Sequence, residues 1–184
     1  MSVWDDPMAR EDPDEPGEAA ASSGPGSPPR YVSVIGQSVC DAAMTAMGEE
    51  LGELLAERGF VVVCGGMGGV MSAVASGVKR RGGVCIGILP GLDRGRADAA
   101  LTYSICTGVG HGRNLAVASS GDVVIALGGA WGTLSEIALA RCAGRTVILL
   151  DSWRIEPWEG KLEGVLQAGT PAEAADLAVE HAGR

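Results

Sequence analysis

Short apolar runs alternate with longer amphipathic segments along most of this 184-residue chain. Apolar runs of this kind, bounded by glycine and polar residues, are typical of strands buried on both faces. They predict strands at residues 31–35, 60–64, 84–88, 102–106, 122–127 and 146–150. Helical patterns lie between them at 41–58, 68–81, from about 113 and 133–143, with a last helix at 170–181. This order predicts an α/β fold: a doubly wound, mostly parallel, Rossmann-like sheet in a single domain.

The first thirty residues differ in composition from the rest of the chain. They are rich in Asp, Glu and Pro, and residues 22–29 have the composition of a Gly/Ser/Pro linker. A segment with so few apolar residues buries too little surface to offset its loss of conformational entropy on folding. We therefore expect residues 1–30 to form a disordered acidic tail and linker, and residues 31–184 to form the folded domain.

Charge and residue content exclude several classes of partner. The formal net charge of -9 at pH 7 disfavours nucleic acid, since no basic stripe offsets it. The N-terminus lacks the basic start and apolar run of a signal peptide, and no apolar stretch is long enough to span a bilayer. We therefore expect a cytoplasmic protein with no membrane or nucleic-acid partner. No metal site is predicted, because neither His111 nor His181 has a Cys or His at ligand spacing.

Three of the predicted strands are followed by glycine-rich turns, at residues 36–38, 64–69 and 128–132. The carboxyl ends of parallel strands meet at one edge of a sheet, where ligands bind. Small residues and helix N-termini at such an edge expose backbone N–H groups that bind anions, and the Arg113 guanidinium suits a phosphate. The candidate phosphate- or nucleotide-binding residues are Gly36, Ser38, Gly65, Gly66, Met67, Gly69, Asn114, Gly128, Gly129, Ala130, Trp131, Gly132 and Thr133.

Three residues of these segments, Arg113, Thr133 and Glu136, also allow a purely structural interpretation. Thr133 and Glu136 fit a capping box, in which the two side chains bond to free backbone N–H groups at a helix start. Arg113 fits an exposed residue on a helix, the usual place for arginine. The turns lack both the Lys-Ser/Thr of a P-loop and an acidic residue placed for a ribose, so ATP hydrolysis and nicotinamide cofactors are excluded and no cofactor is predicted.

Several motifs resemble those of the Lonely Guy superfamily, in the same order and spacing from about Tyr31 to Asp151. They are Gly65-Gly-Met-Gly-Gly-Val-Met71, Gly112-Arg113, Ser120-Gly-Asp122 and Leu127-Gly-Gly-Ala-Trp-Gly-Thr-Leu-Ser-Glu136. That superfamily contains the cytokinin-activating phosphoribohydrolases, bacterial relatives labelled lysine decarboxylases, and molybdenum-cofactor carrier proteins. The resemblance implies a homodimer or higher homo-oligomer whose nucleotide-binding domain binds an AMP-like small-molecule phosphate.

The resemblance also implies a reaction, the cleavage of nucleoside 5'-monophosphates to a free base and ribose 5-phosphate. Arg113 and Glu136 would form its catalytic pair, with Arg113 orienting Glu136 and keeping it ionised. This chain has Asn114, Ser119 and Ser135 where the family enzymes carry Lys, Arg and Glu. A non-catalytic carrier or sensor of a nucleotide or molybdopterin-type cofactor therefore remains the alternative.

Lysine decarboxylation is excluded on chemical grounds. A pyridoxal enzyme needs a Schiff-base lysine in its site. Lys79 lies at a predicted helix end and Lys161 in the C-terminal segment, so neither is at a strand-end turn.

Overall fold

The computed structural model describes residues 28–160 and 162–182, and within them it contains one seven-stranded sheet. The strands are β1 (Arg30–Gly36), β2 (Phe60–Cys64), β3 (Val84–Leu89), β4 (Tyr103–Cys106), β5 (Val123–Leu127), β6 (Thr146–Leu150) and β7 (Val165–Ala168). The helices are α1 (Ala42–Glu57), α2 (Val70–Arg80), α3 (Arg113–Ser120), α4 (Trp131–Cys142) and α5 (Pro171–His181). Short 3-10 turns lie at Arg94–Arg96 and Gly110–Gly112. The predicted tail lies outside the described residues up to position 27.

The sheet has the strand order β4-β3-β2-β1-β5-β6-β7, and every neighbouring pair is parallel. The chain builds one half of the sheet outward from β1 to β4, then crosses to the other side of β1 to place β5. A crevice opens outside the carboxyl ends of the strands where the direction of winding changes. The predicted doubly wound α/β fold is confirmed, and this crevice lies at the ends of β1 and β5.

Helices cover both faces of the sheet, which explains why the strand segments are continuously apolar. Helices α1, α2 and α5 pack on one face, and α3 and α4 pack on the other. In β5, Val123, Ile125 and Leu127 pack into the first layer, while Val124 and Ala126 pack into the second. Among the described residues, none of the helices has both the length and the apolar content needed to cross a bilayer.

Two glycines allow α1 and α2 to pack unusually closely. A Cβ placed on Gly77 of α2 would overlap the main-chain carbonyl oxygen of Glu49, and a Cβ on Gly52 of α1 would overlap that of Val74. The obstacle in both cases is backbone, which cannot rotate away as a flexible side chain can. These glycines therefore set the separation of the two helices.

Gly77→Ala is expected to lower the free energy of unfolding by about 1–3 kcal/mol, because the helices must separate to admit the methyl group. The loss should appear although Ala favours a helix over Gly by about 1 kcal/mol. Urea unfolding measures it, with Gly91→Ala as the control, since a Cβ there would approach Asp93 N no closer than 4.0 Å. An unchanged or higher urea midpoint for Gly77→Ala would contradict the close approach.

Candidate functional site

The turns after β1, β2 and β5 lie side by side, and Gln37 connects them. Its main-chain oxygen accepts a hydrogen bond from Val70 N at 3.1 Å, at the start of α2. Its side-chain Oε1 accepts one from Gly129 N at 3.4 Å, in the turn after β5. The structure thus brings the three glycine-rich turns to one crevice, as the parallel order of the strands predicts.

Glycine is required in these turns for two physical reasons. Gly66, Gly69 and Gly128 have φ values of 72°, 68° and 73°, a left-handed backbone conformation that costs residues with a side chain. Gly65 is required for space, because a Cβ there would lie 2.5 Å from Nη1 and 2.6 Å from Nη2 of Arg113. The turn after β2 is therefore shaped to admit a guanidinium beneath it.

Arg113 is buried at the first position of α3, with 8% of the residue exposed. This placement contradicts the interpretation of Arg113 as an exposed helix residue. Within the part of the chain that the structure describes, its Nε is buried and has no hydrogen-bond partner. A buried unpaired donor is costly, so such donors are usually satisfied by a further group.

Glu136 lies opposite Arg113, in the second turn of α4, and 6% of the residue is exposed. Its Oε1 is 3.6 Å from Nη1 of Arg113, a close ion pair that brings together the predicted catalytic residues. The N-cap of α4 is Ala130, and Oγ1 of Thr133 accepts from Ala130 N at 3.4 Å. The predicted capping box of Thr133 with Glu136 is therefore wrong, because α4 begins earlier and Glu136 is beyond its first turn.

Burial raises the pKa of Glu136 to about 7, while the positive charge of Arg113 acts in the opposite direction. Desolvation disfavours the ionised carboxylate, and here it outweighs the attraction of the guanidinium. The expectation that Arg113 keeps Glu136 ionised is thus met only in part, since both protonation states are populated near neutral pH. A carboxyl group with such a pKa is suited to accepting and donating protons at that pH.

The remaining predicted residues fall into three groups by exposure. The exposed rim of the crevice consists of Ser38, Gly129, Ala130, Trp131 and Gly132. The buried floor contains Gly65, Gly66, Arg113, Asn114, Gly128, Thr133 and Glu136. Gly36, Met67 and Gly69 are half-buried, and the Met67 side chain packs against the first core layer.

The segment after β6 also borders this crevice, although the sequence analysis assigns it no role. Ser152 Oγ donates a hydrogen bond to Gly128 O at 2.5 Å, and Trp153 Nε1 donates one to Ala130 O at 3.3 Å. Both bonds hold this segment against the turn after β5. The signal was available, because strand 146–150 was predicted and the residues after it must lie at the same edge.

A model of the SLOG cluster4 family matches residues 29–175, a range that includes the whole sheet and all the turns of the crevice. The chain belongs to the SLOG cluster4 family. An uncharacterized protein of Archaeoglobus fulgidus is 38% identical to this SLOG cluster4 protein over 148 residues, which are 80% of this chain and 93% of that protein.

Two further likenesses connect this SLOG cluster4 protein to proteins with described roles. Its structure resembles that of the molybdenum cofactor binding protein from the phototrophic bacterium Rippkaea orientalis, with a TM-score of 0.74 and 31% identity over 84% of this chain and 98% of that one. A probable cytokinin riboside 5'-monophosphate phosphoribohydrolase of Oryza sativa subsp. japonica is 37% identical over 91 residues, 48% of this chain and 40% of that protein. The predicted membership of the Lonely Guy superfamily is confirmed.

Proposed function

We propose that this protein binds a nucleoside 5'-monophosphate in the crevice and hydrolyses its N-glycosidic bond to give a free base and ribose 5-phosphate. The observation that carries the proposal is the buried pair of Arg113 and Glu136 directly beneath the glycine-rich turns. A glycine-rich turn alone binds any anion. A buried carboxyl group beside it adds a group that is able to transfer a proton or stabilise a positive charge during bond cleavage.

The phosphate is held by the turns and by the helices that follow them. Helices α2 and α4 begin at the crevice, and their N-terminal N–H groups carry partial positive charge. The contact between Gly129 N and Gln37 Oε1 is long at 3.4 Å, so a phosphate oxygen replaces it at little cost. Arg113 adds charge-assisted hydrogen bonds from beneath, including one from its unpaired Nε.

Glu136 acts on the sugar in the proposed reaction. As the bond between C1' and the base nitrogen lengthens, positive charge develops on the ribose ring, and a nearby carboxylate stabilises it. The same carboxylate removes a proton from the water whose oxygen adds to C1', and the leaving base nitrogen takes up a proton from solvent, so that one water is added across the broken C–N bond. Arg113 keeps enough of Glu136 ionised for this role, because without the guanidinium burial alone would raise the pKa of Glu136 further.

A second candidate function is binding without turnover, as a carrier of a nucleotide or a molybdopterin-type cofactor. Two observations favour it: the similarity to almost the whole length of the molybdenum cofactor binding protein, and the missing charges at positions 114, 119 and 135. The hydroxyl groups of Ser119 and Ser135 donate to their own helix, to Leu115 O and Gly132 O, each at 2.7 Å. Neither serine therefore replaces the charge of the residue usual at its position.

Base release separates the two functions. The protein is incubated with AMP, GMP, CMP and UMP, the products are separated by chromatography, and binding is measured in parallel by calorimetry. The proposal predicts free base and ribose 5-phosphate in equal amounts from at least one of these nucleotides. Tight binding of the nucleotides without any base release would instead identify a carrier, and absence of both would remove the nucleotide from either function.

A further inference from the structure

Two tryptophan side chains pack against each other at the rim of the crevice, directly beside the turn after β5. Trp131 is the first residue of α4, and 79% of it is exposed. Its ring centroid is 5.4 Å from that of Trp153, with the ring planes tilted by 43°. The distance is within the range of attractive aromatic pairs. We call these two residues the tryptophan pair.

The tryptophan pair is fixed to the turn that the phosphate would occupy. Trp153 Nε1 donates to Ala130 O at 3.3 Å, and a Cβ on Gly129 would lie 3.0 Å from that same nitrogen. Trp131 continues the same turn into α4. The rings are therefore held at a set position relative to the backbone N–H groups of the turn, although the outer ring projects into solvent.

An open surface depression of about 360 Å³ lies beside Trp153 of the pair. Its lining consists of Gly129, Asp151, Ser152, Trp153 and Arg154. Among the described residues Asp151 alone combines a side chain with a positive φ, 44°. Such strained conformations collect at ligand sites, where the surrounding fold maintains them.

We infer that the tryptophan pair and the adjoining depression form the subsite for the planar heterocycle of the ligand. The heterocycle stacks on the exposed face of Trp131 while its sugar phosphate lies on the glycine-rich turns. This inference rests on the proposed function for the position of the phosphate, and adds where the base of the nucleotide lies.

The surroundings of the pair favour a heterocycle over an apolar ligand. Asp151 and Arg154 belong to the lining, and a carboxylate and a guanidinium are able to bond to the ring N–H, amino and carbonyl groups of a base. An aromatic platform beside a phosphate site is the arrangement that proteins use to bind single nucleotides, because every base has a flat face to stack. A ligand consisting of sugar phosphate alone would leave the pair exposed.

The test compares AMP with ribose 5-phosphate, which lacks the heterocycle. Affinities are measured by calorimetry in a Glu136→Gln background, so that turnover does not deplete AMP. Trp131→Ala is expected to weaken AMP binding by about 5- to 100-fold, the usual loss when a base loses its aromatic platform. It should leave the affinity for ribose 5-phosphate within about twofold. Trp131 is exposed, so its removal leaves no cavity in the core.

Trp158→Ala is the matched control, because Trp158 is 97% exposed and lies outside the lining of the depression. It should change neither affinity. Trp153→Phe provides a second variant that keeps an aromatic ring and removes the hydrogen bond to Ala130. We expect Trp153→Phe to lower the affinity for AMP less than Trp131→Ala does.

The outcomes separate the subsite from the proposed function. Equal affinities of AMP and ribose 5-phosphate in the background protein, or an equal loss of both in Trp131→Ala, would overturn the stacking inference while leaving the phosphate site standing. Failure of both ligands to bind would overturn the proposed function and the subsite together. A loss of affinity for AMP but not for ribose 5-phosphate in Trp131→Ala supports both the subsite and the proposed function.

Discussion

Glu136→Gln is expected to lower kcat for base release from AMP by about 10²–10⁴-fold, the range typical of a positioned proton-transfer group. Glutamine has nearly the shape of glutamate but cannot carry the negative charge that stabilises the ribose cation or accept a proton from water. Binding of AMP should change little, because in the proposed function the phosphate is held by the turns and by Arg113. The measurement is single-turnover base release together with calorimetric Kd.

The control for this substitution is Glu180→Gln, which makes the same chemical change on the exposed surface of α5. It should leave base release unaltered. If Glu136→Gln releases base as fast as the parent protein, the carboxylate takes no part in the reaction and the proposed mechanism is wrong. If Glu136→Gln also loses AMP binding, Glu136 contributes to the architecture of the site rather than to chemistry.

Arg113→Met is expected to weaken binding of ribose 5-phosphate by about 10- to 100-fold, because charge-assisted hydrogen bonds contribute about 1.5–3 kcal/mol each. Methionine fills much of the same buried space without charge. The fold should survive, since the Glu136 carboxyl group left behind is able to take up a proton. Calorimetry measures the affinity. Arg113→Lys is the comparison, because lysine keeps the positive charge but lacks the planar guanidinium that forms paired hydrogen bonds.

The same substitution should move the pH dependence of the reaction. Glu136 is active as the carboxylate in the proposed mechanism and its pKa is about 7, so the rate should rise from pH 6 to pH 8 and level off above. Arg113 lowers that pKa, so Arg113→Met should move the inflection to higher pH. An inflection that stays in place or moves to lower pH would show that the two side chains are not electrostatically coupled.

The strands were predictable from sequence where burial on both faces produced a continuous apolar run. Segments such as Phe60–Cys64 and Thr146–Leu150 have the same bounds in the structure. Val165–Ala168 was missed, because this short edge strand includes an exposed Gln167 and has no continuous apolar run. Its pairing with β6 comes from the tertiary fold rather than from its own sequence.

The start of α4 shows a different kind of limit. Thr133 and Glu136 have the spacing of a capping box, but the helix begins at Trp131 and Thr133 occupies the third position. The spacing alone cannot distinguish the N-cap from a position inside the first turn, so the motif predicts an N-cap at Thr133, three residues after the true N-cap, Ala130. The earlier start leaves Glu136 free to face Arg113.

The composition of the site was partly predictable, and its geometry was not. Glycine-rich turns after neighbouring parallel strands predict a shared edge, and the structure places them there. The burial of Arg113 beneath Gly65 depends on contact between segments far apart in sequence. The same is true of Trp153, which reaches Ala130 from the end of β6. No local pattern contains such contacts.

A crystal structure of the Glu136→Gln variant grown with AMP tests most directly whether the glycine-rich turns and Arg113 bind the phosphate. We expect the phosphate between the turns after β2 and β5, within hydrogen-bond distance of backbone N–H groups at Gly65, Gly66 and Gly132 and of the Arg113 guanidinium. A phosphate bound elsewhere on the molecule, with Arg113 still buried against an empty turn, would contradict this expectation.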